Sequence, residues 1–380
     1  MRGRLGRPCL YVPSARLGLY LALRHWCRPG GRVLMSPVND DVILFVVLAA
    51  GLRPVQAPLD PRDGSLDAAA VPEETWQGLA AVVTTNLYGN PDPAPELRAR
   101  CDALGIPLIE DAAHAIGSTL DGRPVGTFGE AAVFSLSKHT GARTGGFVAV
   151  ADPAVRDELA TLRDALLHPT GPLTEAAHLV RPGAEATVRA LRLTGAARAA
   201  LRLLGQRERE GIRMPLRAGA LKDAVAAAPS LDAFHSWVRV DLHDYRLRPG
   251  HARLRRTTRL LRALDARLAA HRAGTHDLLD SPWGAPAPRG GDQPLFRVPL
   301  LVADRDAAIA ALARRRVTTG YLYDPPLDDY AGEPFTAPCA DPGPARWFAR
   351  HALPADPLRA EAVLSALRES GAQPVKPDRG

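Results

Sequence analysis

Short apolar runs alternate with longer segments in which apolar residues recur at helical spacing, and this rhythm sets the first expectation for the fold. Arg32–Met35, Arg53–Ala57, Leu79–Thr85, Ile106–Ile109 and Ala131–Phe134 read as buried strands. Between them, residues 13–27 open from a Pro-Ser break into a helix, Asp41–Ala50 forms a second helix closed by Gly51, and Ala94–Leu104 a third closed by Gly105. Strand, helix, strand at this spacing predicts an α/β fold with a mostly parallel sheet and right-handed crossovers. Residues 152–235 change character to Ala-, Leu- and Arg-rich helical patterns, among them Ala184–Arg207, expected to pack an amphipathic face on the core or at an interface. Further on, Ala252–Leu268 predicts one helix, Leu295–Val302 a strand, Asp304–Arg314 a helix, Val317–Tyr323 a strand, and Pro342–His351 and Asp356–Glu369 two more helices. The division expected from this pattern is a large domain over 1–250, a small C-terminal α+β lobe over 251–372 and a disordered tail over 373–380.

Composition narrows the function. The net charge is +7, but the arginines are spread along the chain, aromatics are 5% and no nucleic-acid motif is present, so a nucleic-acid partner is not expected. Cys9, Cys27, Cys101 and Cys339 are far apart and form no Cys/His cluster, which predicts reduced thiols and no metal site. The longest apolar run, Val42–Ala50, is too short to span a bilayer, and the basic N-terminus lacks the apolar core of a signal peptide, so a cytoplasmic protein is expected. One feature stands against the arginine background: lysine occurs only at 138, 222 and 376. Arginine cannot lose its proton in a protein, whereas a partly buried lysine can and can then form a Schiff base. Lys138 follows the apolar run Ala131–Phe134, at the carboxyl end of a predicted core strand, where open α/β sheets gather their chemistry. Glu110-Asp111 ends the neighbouring run.

The stretch IEDAAHAIGSTLDGRPVGTFGEAAVFSLSK, with TTNLYGNPDP before it and GGFVAV after it, resembles the DegT/DnrJ/StrS family of sugar aminotransferases. The likeness is close over roughly residues 13–150 and weaker at 243–254 and near the C-terminus. It implies the pyridoxal-phosphate (PLP) transferase fold of aspartate aminotransferase, fold type I. It implies that Lys138 carries the cofactor and that Asp111 pairs with its ring nitrogen. Ser14, Ala15, Arg16 and Ser135 are then expected around the phosphate and His114 beside the ring, in place of the family's usual Gln. Asp244 and Arg246 stand where relatives reach across a homodimer, although relatives carry Asn at the first position, and Asn86, Tyr88 and Tyr321 are expected near the substrate. The implied reaction is amino transfer from a donor such as glutamate to a keto-sugar, nucleotide-linked in this class. Two other readings stay open: a PLP-dependent sugar dehydratase, which in relatives usually has His for the lysine, and a non-catalytic PLP-fold binding protein. The Ser135-to-Lys138 spacing is shorter than in many relatives.

Overall fold

The computed structural model describes residues 1–171, 212–240 and 244–377. Seven strands form one sheet: β1 (Cys9–Val12), β2 (Arg32–Met35), β3 (Arg53–Gln56), β4 (Leu79–Thr84), β5 (Leu108–Asp111), β6 (Ala131–Ser135) and β7 (Gly146–Val150). Their order across the sheet is β1-β7-β6-β5-β4-β2-β3. The β6, β5, β4, β2 and β3 neighbours pair in parallel, and β7 runs antiparallel to both β6 and β1. Every residue of β5, β6 and β7 is buried. That is the signature of a parallel sheet covered on both faces, and it explains why these strands read as continuous apolar runs and not as alternations.

Helix α1 (Ala15–Trp26) lies on the sheet with its middle fully buried, and α2 (Asp41–Ala49) is apolar almost all round and buried at eight of nine positions. Both cover one face with α4 (Pro153–Leu166), while α3 (Ala94–Leu104) links β4 to β5 and belongs to a separate apolar cluster with Val82, Leu97 and Leu108. The chain runs out along β2 and β3, then returns to place β4 on the other side of β2. The rim beyond the carboxyl ends of β4, β5 and β6 is therefore next to a topological switch, the usual place for a ligand in such a sheet.

A second core is built from the C-terminal residues. Strands β8 (Val298–Leu301) and β9 (Ala352–Ala355) pair antiparallel, and α6 (Leu264–Leu279), α7 (Arg305–Arg314) and α9 (Ala360–Ser370) cover them through Leu278, Leu300, Leu312, Leu353 and Val363. Helices α5 (His251–Arg262) and α8 (Gly343–His351) complete the set used below.

Four expectations change. The single helix over Ala252–Leu268 is two, α5 and α6, broken at Ala263, because the apolar stripe runs on across the kink and hides it from periodicity. Val317–Tyr323 forms no strand, with Tyr321 at φ 61°, a left-handed conformation that no strand accepts. The segment ALPA is a strand, β9, missed because it follows α8 without a break. Residues 373–375, placed in a tail, bond along the second sheet: Ala303 N–H donates to Gln373 O and Val375 N–H to Leu301 O. The helix expected over Ala184–Arg207 lies outside the described residues. No helix among the described residues is long and apolar enough to cross a membrane.

Candidate active site at the ends of the parallel strands

Asp111 is the last residue of β5 and only 5% exposed. Its Oδ1 accepts one backbone hydrogen bond, from Ala113 N–H at 3.1 Å. Burial pushes its carboxyl up to about 7, against the opposing pull of that amide and of Lys138. Glu110 precedes it, and because successive strand residues face opposite ways, it turns to the other side. There it accepts from the amides of Gly126 at 2.7 Å and of Phe128 and Gly129 at 2.8 Å, and so holds the 126–129 loop. Glu110→Gln puts an amide NH2 against those donors and is expected to lower unfolding stability by roughly 2–3 kcal/mol in chemical denaturation, through loss of charge-assisted bonds.

Lys138 comes three residues after β6 ends and is half-buried. Its Nζ lies 3.7 Å from the centroid of the Tyr321 ring and 5.3 Å from that of Phe296. The short path from Ser135 to Lys138 is a tight turn in which the Ser135 and Ser137 hydroxyls share a hydrogen bond of 2.8 Å and Ser137 N–H donates back to Ser135 Oγ. Beside that turn, Gly146 starts β7. A Cβ there would stand 2.5 Å from Phe134 O and 3.1 Å from Ala15 N, so glycine is what lets β7 pass under the first turn of α1. Ser14 caps that turn: its Oγ accepts from Leu17 N–H at 3.2 Å and donates to Tyr245 O at 3.1 Å. Arg16 turns its Nη1 to Val238 O at 2.7 Å, with its guanidinium 5.8 Å from the Tyr245 ring centre. The amides opening α1 have no partner within the helix and carry its positive dipole end, which suits an anion.

His114 is buried among rings. Its imidazole stacks on Phe296 (5.2 Å between centres) and on Tyr88 (6.2 Å), with Tyr321 edge-on at 5.8 Å. Burial first, and then the charge of Lys138, hold it well below the ordinary histidine range, so it is neutral at pH 7. Asn86, Tyr88 and Tyr321 have φ of 44°, 58° and 61°, three left-handed non-glycine residues meeting at one place. Strain of this kind persists where the surroundings over-determine it, often at functional sites.

Two of these residues differ from the substrate-facing placement expected of them. Asn86 is 1% exposed; its Nδ2 donates to Asp111 O at 3.0 Å and Thr84 Oγ1 at 2.9 Å, and its Oδ1 accepts from Asp92 N–H at 3.2 Å. It ties the end of β4 to the end of β5. Tyr88 is 2% exposed, lies between His114 and Tyr323, and donates its hydroxyl to Tyr321 O at 2.7 Å. Gly89 makes this crossing possible: at φ 103° a Cβ would stand 2.8 Å from His114 O. Asp92, which the sequence reading passed over, pins the loop by accepting from Leu66, Thr85 and Asn86 amides.

Asp244 and Arg246, expected to reach a second subunit, are engaged within the chain. Asp244 accepts from His168 Nδ1 at 2.6 Å and from Arg246 N–H at 2.8 Å, and Arg246 pairs with Asp232. Asp244 is thus held by a histidine and an amide within its own chain. Phe296, Arg297 and His271 were not among the expected site residues, and His139 stood out only as the neighbour of Lys138. His139 Nε2 donates to Pro294 O and His271 Nδ1 to Leu295 O, both at 2.9 Å, and so fix the backbone leading into Phe296. The one sequence signal for Phe296 was its type, an aromatic in a chain with few of them.

Residues 7–172 match the model of the DegT/DnrJ/EryC1/StrS aminotransferase family. Among curated relatives, the UDP-N-acetyl-3-dehydro-alpha-D-glucosamine 3-aminotransferase of Acidithiobacillus ferrooxidans is 33% identical over 150 residues, 38% of this chain and 41% of that protein. The chain thus spans about two fifths of the length of that relative. Two solved structures share the fold over 97% of the chain. DesI with its TDP-sugar product has a TM-score of 0.63 at 23% identity and is covered over 83% of its length. The E. coli GDP-4-keto-6-deoxy-D-mannose-3-dehydratase with bound hydrated PLP has 0.65 at 16% identity and is covered over 89%. Over residues 7–172 the chain is thus similar to the DegT/DnrJ/EryC1/StrS aminotransferase family, and the sheet order and the lysine turn accompany that match.

Proposed function

We propose that the chain is a PLP-dependent aminotransferase that moves an amino group from an amino acid donor to a nucleotide-linked keto-sugar, working as a homodimer in the cytoplasm. The observation that carries this reading is the placing of Asp111 at the end of β5 and of Lys138 just beyond the end of its parallel neighbour β6. A buried carboxyl with a single recorded hydrogen bond and an amine resting on aromatic rings stand on one rim, beside a helix N-terminus.

These residues fit pyridoxal phosphate. Asp111 has a buried oxygen pair that lacks a cationic hydrogen-bond donor, and a protonated ring nitrogen supplies one. The amides of Ala15 and Arg16, with Ser14 and Ser135, would hold the phosphate. His114, neutral and stacked among rings, would lie beside the cofactor ring. When bound, the cofactor supplies an electron sink for carbanion chemistry. The chain's own part is to orient and to move protons. Asp111 keeps a positive charge fixed at one end of the site, and Asn86 holds the backbone on which Asp111 sits. Lys138, on its short turn, takes up and returns a proton at Nζ. Tyr321 and Phe296 would shield that amine from water on one side. A lysine at 138 rather than a histidine favours amino transfer over dehydration.

Titration of the purified protein with PLP tests the reading: a visible band should appear, be bleached by an amino acid donor alone, and return on adding a keto-sugar. A band that a nucleotide-linked keto-sugar cannot restore after the donor step contradicts the proposed acceptor. A monomer by sedimentation at micromolar concentration contradicts the homodimer.

A further inference from the structure

The residue after Lys138 is a histidine with no exposed surface. Its Nε2 lies 2.9 Å from Pro294 O. A carbonyl only accepts, so Nε2 carries the proton and Nδ1 is left as an acceptor. Nδ1 is buried without a partner among the described residues. A second proton would put an N–H there with nothing to receive it. Burial first, and then the His271 ring, push His139 down to about 3, so the imidazole is neutral at pH 7. It acts as a neutral donor through one hydrogen bond.

That bond joins two parts of the molecule. His139 belongs to the turn that leaves β6 of the large sheet. Pro294 leads into Leu295, which packs in the second core, and into Phe296, whose ring centre lies 5.3 Å from Lys138 Nζ and 5.7 Å from the centre of the His139 ring. The turn is also tied to itself. The Ser135 and Ser137 hydroxyls share a bond before the lysine, and after it Thr140 Oγ1 bonds Leu136 O and accepts from Ala142 N–H at 3.1 Å. Among the described residues, the bonds made by the Ser135, Ser137 and Thr140 side chains stay within the turn, and the His139 bond leaves it. The backbone on either side of Lys138 is thus held, and the long side chain is the part free to move.

We propose that His139 is a positioning residue for Lys138: its Nε2–H bond to Pro294 O sets the lysine turn against the Phe296 segment, so that Nζ meets the cofactor aldehyde in reacting geometry. In that attachment the deprotonated amine adds to the aldehyde carbon, a carbon–nitrogen double bond replaces the carbonyl, and the oxygen leaves as water with the two amine hydrogens. This rests on the aminotransferase reading and adds the residue that aims its lysine.

The test follows growth of the visible band after the intact, cofactor-free protein is mixed with PLP at increasing concentration. The half-saturating concentration reports binding, and the limiting first-order rate reports capture by Lys138. His139→Ala should lower the limiting rate about 30-fold or more and move the half-saturating concentration less than about 3-fold, since aim is lost and the phosphate cradle is kept. His139→Gln carries its amide nitrogen as many bonds from Cβ as Nε2 is, so it should restore the rate to within about 3-fold of the parent. His139→Asn, whose amide ends where Nδ1 stood, should stay as slow as the alanine variant. Restoration by glutamine and not by asparagine is a pattern that misfolding cannot mimic. An alanine variant as fast as the parent, or a glutamine variant as slow as alanine, overturns the assignment while the parent's band upholds the aminotransferase reading. A parent protein that forms no band overturns that reading and this inference with it.

Discussion

On the proposed aminotransferase reading, Lys138→Arg is expected to abolish amino transfer, by roughly three orders of magnitude or more, since the positioned proton transfer would be lost together with covalent attachment. The fold survives. Lys138 is half-buried at a turn, and its recorded neighbours among the described residues are the Tyr321 and Phe296 rings, on which a guanidinium stacks as well as an ammonium. Far-UV circular dichroism and the melting temperature should match the parent, while the visible, borohydride-sensitive band is absent. A variant that keeps that band would show that another amine holds the cofactor. Charge alone is not what position 138 supplies, and the exchange separates charge from the ability to deprotonate.

Asp111→Asn produces opposite effects on stability and function. In the cofactor-free protein the Asp111 carboxyl titrates at about 7, above the 3.8 of an exposed aspartate, because burial penalises its charge. The folded state therefore binds that proton more tightly than the unfolded state. The stability this contributes is complete below about pH 4 and is lost as the pH rises to about 7. Asn has nothing to ionise and still accepts from Ala113 N–H. The cofactor-free variant should match the parent at pH 4, then gain on it up to pH 7 and plateau near roughly 4 kcal/mol. Thermal melts across pH read this directly, and a variant no more stable than the parent at pH 8 contradicts the buried, uncompensated acid. With PLP bound the sign reverses. The variant lacks the carboxylate that balances a protonated ring nitrogen, so it should bind PLP weakly and lose activity by roughly 100-fold or more.

What the sequence disclosed and what it hid follow from the range of the interactions. Strands β5 and β6 were legible because a strand buried on both faces is a short apolar run bounded by polar residues, and Ser14 was legible because a cap is a local event. Lys138 and Asp111 stood out by type and by place. Tyr321 was misread as part of a strand because extended backbone alternates its side chains whether or not it is paired, and φ is not written in the alternation. Asn86 read as a residue expected near the substrate. Only the three-dimensional register of β4 against β5 shows that its amide is spent on Asp111 O. Phe296 meets Lys138 across 158 residues of chain, in an apolar stretch that read as nothing more than a strand. Aromatic platforms assembled from such distant segments have no local signature.

The most direct test of the account is where PLP becomes attached. The protein is incubated with PLP, reduced with borohydride, digested with trypsin and analysed by mass spectrometry. The chain has three lysines, at 138, 222 and 376, so few assignments compete. The reduced cofactor should appear on the peptide that contains Lys138, at one per chain. Label on Lys222 or Lys376 in its place, or no label at all, contradicts the account.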